Sequence, residues 1–228
     1  MRHFFLYLFL FVYLSAGAQG QLRLGVSSGV HWTFRQWYVK PLNSDLGFRP
    51  APAGRFTAVL DWPVDKVLGI RAEGGFQDYR NLLEVFIEDT SLPSPLQGYI
   101  SDRLRAWTGS VLLTVRPFRF KGLYFEGGLA SAYLTESLFK PIGALRKSLK
   151  NSEAYEVRST DLPNHQRYQV LADVGVGLSL PVGKRMSFLS EVRYQYGLWE
   201  LDNVETTTAR LSALGVNIGL MYTLNDNL

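Results

Sequence analysis

The side chains able to do chemistry are few, and most recur on one face of alternating stretches. Beyond residue 18 there are two histidines, His31 and His165, and the chain has no cysteine. Thiol catalysis and zinc–thiolate sites are therefore excluded. A serine nucleophile needs a histidine base oriented by an acid. His31 shares its period-two face with Ser27 but not with Ser28, and His165 sits in a Pro- and Asn-containing stretch with no motif around it. No cluster has metal-ligand spacing, and no glycine-rich phosphate loop precedes a helix. No catalytic residue, metal or cofactor is expected.

The clearest constellation is ionic. Arg23, Arg71, Glu73, Glu126, Asp173, Glu191 and Arg193 all fall on the polar face of alternating segments, and Arg55, Asp61 and Arg116 lie nearer the segment ends. Their signs nearly balance. Charges enclosed together are tolerated only when paired and hydrogen-bonded, so these residues predict an ion-pair network filling an interior. A narrow proton or ion path is the alternative. A second set, Arg103, Arg105 and Arg210, has the opposite parity and falls at one end of its segments. A charge there sits at an interface, against lipopolysaccharide phosphates or water. Arg146, Lys147 and Lys150 read as solubilising loop charge.

The elements that must position these residues alternate with period two, the signature of strands with unlike faces. The first opens near residue 21, with Leu22, Leu24, Val26, Val30, Trp32 and Phe34 on one side and Arg23, Gly25, Ser27, Gly29, His31 and Thr33 on the other. Seven more follow, at about 55–64, 67–79, 103–117, 123–134, 168–180, 186–198 and 210–224. Their length suits the roughly 9–11 residues of a tilted membrane-crossing strand. Short connections at 64–67, 118–122 and 181–185 alternate with longer ones at 35–54, 80–102, 136–167 and 199–209. This is the wiring of an outer-membrane barrel. The fold class expected is all-β, an eight-stranded antiparallel up-and-down transmembrane barrel. Residues 142–150 read as a short amphipathic helix within the third long connection.

Alternation alone leaves open which face points inward, and a secreted lipocalin-like carrier would invert it. Three features favour lipid outside. The polar face is rich in glycine, at Gly25, Gly29, Gly75, Gly109, Gly128, Gly175, Gly177, Gly215 and Gly219. Small residues suit the crowded lumen of an eight-stranded barrel. Apolar-face aromatics gather at both strand ends: Trp32, Phe34, Phe76, Trp107, Tyr133, Tyr168 and Tyr196 at one, Trp62, Phe125, Phe188 and Tyr222 at the other. Such girdles mark water–lipid interfaces. Finally, Asn217-x-Gly219-x-x-Tyr222-x-Leu224 resembles the terminal signal by which the barrel assembly machinery recognises its clients.

The chain ends bound the compartment. Arg2 and His3 precede an apolar run from Phe4 to Leu14, and Ala16-Gly17-Ala18 fits signal peptidase. Residues 1–18 are read as a cleaved leader and 19–228 as one barrel domain. The net charge of +4 has no long basic run behind it, so nucleic acid is not an expected partner.

The stretch Leu24-Gly25-Val26-Ser27-Ser28-Gly29-Val30, eight amphipathic strands and a glycine-rich last strand resemble the PorT-like outer-membrane barrels of Bacteroidota. The resemblance spans the mature chain and rests on architecture and glycine placement. It implies an accessory link to protein secretion and carries over no catalytic residues, while the short turns by themselves place both termini on the periplasmic side of the outer membrane. The expected function is structural or interactive, toward lipopolysaccharide or secretion-system proteins. A lipid A-modifying enzyme and a narrow channel are the alternatives.

Overall fold

A computed structural model describes residues 21–39, 44–46, 48–87, 96–117, 122–142, 157–159, 166–201 and 207–224. The expected leader, His165, Arg146, Lys147, Lys150 and residues 143–150 of the expected helix lie outside them. Ile142 itself ends a strand.

Among the described residues, eleven strands run in chain order: β1 (Arg23–Val39), β2 (Ser44–Leu46), β3 (Phe48–Pro50), β4 (Pro52–Pro63), β5 (Leu68–Ile87), β6 (Leu96–Val115), β7 (Leu123–Ile142), β8 (Val157–Ser159), β9 (Tyr168–Pro181), β10 (Met186–Gly197) and β11 (Thr207–Thr223). Eight form the wall. β1, β4, β5, β6, β7, β9, β10 and β11 pair with their successors, antiparallel throughout, and β11 closes on β1. The short β2, β3 and β8 add to β1, β5 and β7.

The closure is staggered. A path of directly opposed residues passes from Arg23 through Asp61, Arg71, Leu112, Gly128, Asp173, Gln195 and Ala213, and returns to β1 at Thr33, ten residues above its start. Eight strands with that shear tilt by about 40°. The tight turns lie at the end of the wall that also holds Leu22 and Leu224. At the β4–β5 turn, Asp65 Oδ1 accepts the backbone N–H of Val67 and of Leu68, each at 2.6 Å. These two donors hold the Asp65 carboxyl below its ordinary range. Gly122 enters β7 with φ of 89°, a conformation that favours glycine.

The outward face is the apolar one. Val111, Leu129, Ile218 and Val174 are more than half exposed, whereas Arg71 and Arg193 are 1 % exposed. Aromatic residues ring the wall at both ends, and two cross-strand pairs knit the loop-end ring. Phe76 and Trp107 lie 4.0 Å apart between ring centroids, Tyr133 and Tyr168 4.9 Å. Between the rings each strand contributes roughly nine residues, a band of about 22 Å at this tilt, close to that of outer-membrane barrels. A continuous greasy belt around a closed cylinder needs hydrocarbon against it. The lipocalin-like orientation is thereby excluded.

Three expectations need correction. The strands outrun the bilayer: β5, β6 and β7 have 20 residues each. Much of the expected 80–102 connection is ladder, continuing from Tyr79↔Leu104 to Ile87↔Leu96. Such a projecting hairpin needs no apolar face, so alternation does not reveal it. Gly109 faces outward, because it shares the parity of Trp107 and Val111. The lumen also holds apolar layers. Tyr79, Leu104, Leu134, Leu171, Leu201 and Leu211 cluster at the loop end, and Val59, Tyr124, Leu189 and Met221 at the turn end.

The substitution Val111→Arg places a charge in the middle of the lipid-facing band. It is expected to lower unfolding stability in lipid vesicles by about 2–4 kcal/mol, measured by urea titration. An unchanged midpoint would refute the outward orientation.

Candidate functional site

The lumen charges sit between the two apolar layers. Along β10 the inward residues run Leu189, Glu191, Arg193, Gln195, so one strand crosses from grease to ions and on to amide. Arg193 is the hub. Its guanidinium reaches Glu73 at 2.5 Å, Asp173 at 2.7 Å, Glu126 at 3.2 Å and Glu191 at 3.4 Å. Arg71 binds Glu126 at 2.7 Å and Glu191 at 3.0 Å, and its guanidinium lies 4.6 Å from the Tyr124 ring centroid. Arg55 donates to Glu73 at 2.7 Å.

Three guanidiniums thus face four carboxylates, and neutral donors serve the excess acceptors. The Tyr124 hydroxyl and the Asn217 amide donate to Glu191 at 2.9 and 3.1 Å, and the Gln195 amide donates to Asp173 at 2.9 Å. Pairing offsets the cost of burying these ions. Space for them comes from glycine. Gly175 and Gly215 stand directly opposite Arg193 on its two neighbouring strands. A Cβ on Gly175 would lie 2.8 Å from Glu126 Oε1 and 2.9 Å from Arg193 Cγ.

Arg23 is not joined to this cluster by a direct ion pair. It pairs with Asp61, which also binds Arg116 at 2.9 Å, forming a triad at the turn end. Arg55 moves the other way. Its strand position is nearer the loop end, yet its long side chain delivers charge to the centre. Counting both groups, five arginines meet five carboxylates. The carboxylates of Glu73, Glu126 and Glu191 approach one another within 4.8 Å, but Arg71 and Arg193 occupy the space a cation would neutralise. His31 is fully buried against Gly215, with Asn217 as its polar neighbour.

The outward arginines divide. Arg103 and Arg105 converge on Asp78, Arg105 also reaching Glu136 at 3.3 Å. Arg210 stands on another part of the wall and donates to the Tyr196 hydroxyl at 3.0 Å. Sequence reasoning missed Asp78, Arg80, Glu136 and Lys140 as companions of Arg103 and Arg105. The register supplies the missing signal, since Asp78 opposes Arg105, Arg80 opposes Arg103, and Arg105 opposes Glu136.

No family model and no curated protein matches the chain. Solved structures similar to it include Neisserial surface protein A, at 10% identity and TM-score 0.47, covering 89% of this chain and 97% of that one. OprG, an outer membrane protein of Pseudomonas aeruginosa, matches at 10% identity and TM-score 0.43, covering 92% and 98%. Ail, the attachment invasion locus protein of Yersinia pestis, matches at 12% and 0.40, covering 87% and 99%. This chain's own strand number, closure, apolar belt and paired girdles are the architecture of an outer-membrane β-barrel.

Replacing Arg193 by Gln strips Glu73 and Asp173 of their main counter-ion. Unfolding stability is expected to fall by about 3–5 kcal/mol. Adding Glu73→Gln should recover part of the loss in a urea titration, because the second change removes an unpaired charge. Equal losses in the single and double variants would contradict this coupling.

Proposed function

We propose that the protein is an integral outer-membrane barrel with a non-enzymatic structural or interaction role. The lumen carries this reading: among the described residues the Arg71–Arg193 network and the apolar loop-end layer fill the interior of an eight-stranded barrel, which is only just wide enough for side chains. His31 lies fully buried against Gly215, away from a substrate arriving at the rim. What remains accessible is the rim and the projecting β5–β6 hairpin, and recognition commonly sits on such extensions of a rigid scaffold.

Periplasmic termini suit the wiring. The Leu224 N–H donates to the Leu22 carbonyl at 2.9 Å and the Thr223 N–H to the Arg185 carbonyl at 2.8 Å, at the end bearing the tight turns. Short turns belong to the periplasmic side of such barrels. Biogenesis would pass through the barrel assembly machinery, which reads a terminal strand of the Asn217–Leu224 type. The resemblance to PorT-like barrels of Bacteroidota refines the role to an accessory of protein secretion.

The folded barrel is expected to be silent in planar bilayers; steady conductance steps would overturn the closed-lumen reading. Affinity capture from detergent-solubilised outer membranes is expected to retain secretion-system components. A capture without them removes the secretion refinement and leaves a structural or surface-binding barrel.

A further inference from the structure

The outer wall is interrupted on one side. The β4–β5 ladder stops at Arg55↔Gln77, and pairing with β5 resumes at Pro50↔Asn81, one residue out of step. Pro52 has no N–H to contribute to the ladder, and Gly54 carries no side chain. A Cβ built on Gly54 meets nothing within 4 Å. A groove results on the outer face, in two adjoining parts that share Gly54 and Asp78.

The lower part, about 380 Å³, lies over the adjoining Phe56 and Phe76 on the lipid-facing wall, with Asp78 and Arg105 at its upper edge. The upper part, about 290 Å³, is lined by Arg80, Arg103 and Lys140. The groove therefore passes from hydrocarbon to cations at the level where the membrane changes from acyl chain to headgroup. The guanidiniums of Arg80, Arg103 and Arg105 stand beside two carboxylates, Asp78 of the lining and Glu136 behind Arg105. Arg103 and Arg105 share Asp78, so one carboxylate serves two guanidiniums. Arg80 is held in place, its Nε–H donating to Ser101 Oγ at 2.9 Å and its backbone N–H to Thr33 Oγ1 at 3.2 Å.

We propose that this groove binds a phosphorylated lipid of the outer leaflet, its phosphate among Arg80, Arg103 and Lys140 and an acyl chain against Phe56 and Phe76. The proposal rests on the outer-membrane reading above. Charge complementarity selects the phosphate, since guanidinium and ammonium donors match its oxygens. The apolar lower part selects a lipid over a free anion. Arg103 and Arg105 take Asp78 and Glu136, and Arg80, bonded through Nε–H to Ser101, pairs with neither carboxylate and keeps guanidinium donors for the phosphate.

The test is lipid retention by the full barrel in detergent, read by native mass spectrometry, with a bisphosphorylated diglucosamine lipid and its dephosphorylated form as probes. The phosphorylated lipid is expected to be retained at least about tenfold better. Gly54→Trp, which fills the groove without changing charge, and the pair Arg103→Gln with Lys140→Gln are each expected to abolish that preference. Millimolar inorganic phosphate is expected not to displace the lipid. Equal retention of both lipids, variants that bind as the parent does, or ready displacement by inorganic phosphate would each overturn the proposal. Insertion into liposomes, followed by circular dichroism, is scored on the same samples. A barrel that inserts without lipid preference sinks the groove alone, and one that fails to insert sinks the outer-membrane reading.

Discussion

A cylinder of eight strands and shear ten has an interior too narrow for a water column and too wide to leave empty, so every other side chain must fill it. Because the opposite set is given to lipid, the filling set carries the polarity of the sequence. Ions enclosed at that density survive only with partners on several strands at once. Arg193 meets this condition by reaching carboxylates on β5, β7 and β9 as well as Glu191 on its own strand. The network is thus a set of cross-ties through the axis, acting at right angles to the hydrogen-bonded wall. Glycine at Gly175 is the geometric condition for it, since a Cβ there would press on Glu126 and Arg193, whereas the space over Gly215 is taken by His31.

The same alternation dictates where charge is allowed outside. Between the aromatic rings no lipid-facing position of the described wall is ionised, and the outward charges Asp78, Arg103, Arg105 and Glu136 begin beyond the Phe76–Trp107 pair. An ionised side chain costs little at the interface and several kcal/mol at the midplane. The outer surface is therefore sorted by depth, and its chemistry is confined to the rim and what projects above it.

Much of this was legible in residue order, and the failures have physical causes. Where a strand has unlike neighbours on its two faces, period two is written plainly, as from Leu24 to Phe34 and from Leu214 to Tyr222. Where β5 and β6 leave the membrane, no contrast remains, and 80–102 resembles a loop. Gly109 misled because glycine is compatible with either face, and only the parity of Trp107 and Val111 assigns it. Tyr124, Leu189 and Met221 were overlooked as filling because apolar residues on a polar face look like lapses in the pattern. Arg55 shows a different gap. A Cα position locates the stem of an arginine, and its charge acts several ångströms away, here at Glu73.

The rim gains its arrangement from irregularity. Pairing of β6 with β7 slips between Arg105 and Ala106, where Thr135 is the additional residue and its hydroxyl donates to the Arg105 carbonyl at 3.1 Å. A one-residue slip exchanges the two faces of a strand. Below Thr135 the even-numbered residues of β7 point into the lumen, as Glu126 and Leu134 do, and above it Glu136 sits outside with Arg105. Without the bulge Glu136 would face inward and Arg105 would lose that carboxylate. The second irregularity, at Pro52 and Gly54, clears the wall immediately beside this cluster. Two departures from a regular ladder, on strands separated by β5 and β6, border the same outer groove. Bulges at barrel rims serve to re-aim side chains. Regular pairing builds the closed cylinder, and its two breaks shape the outer groove at its rim.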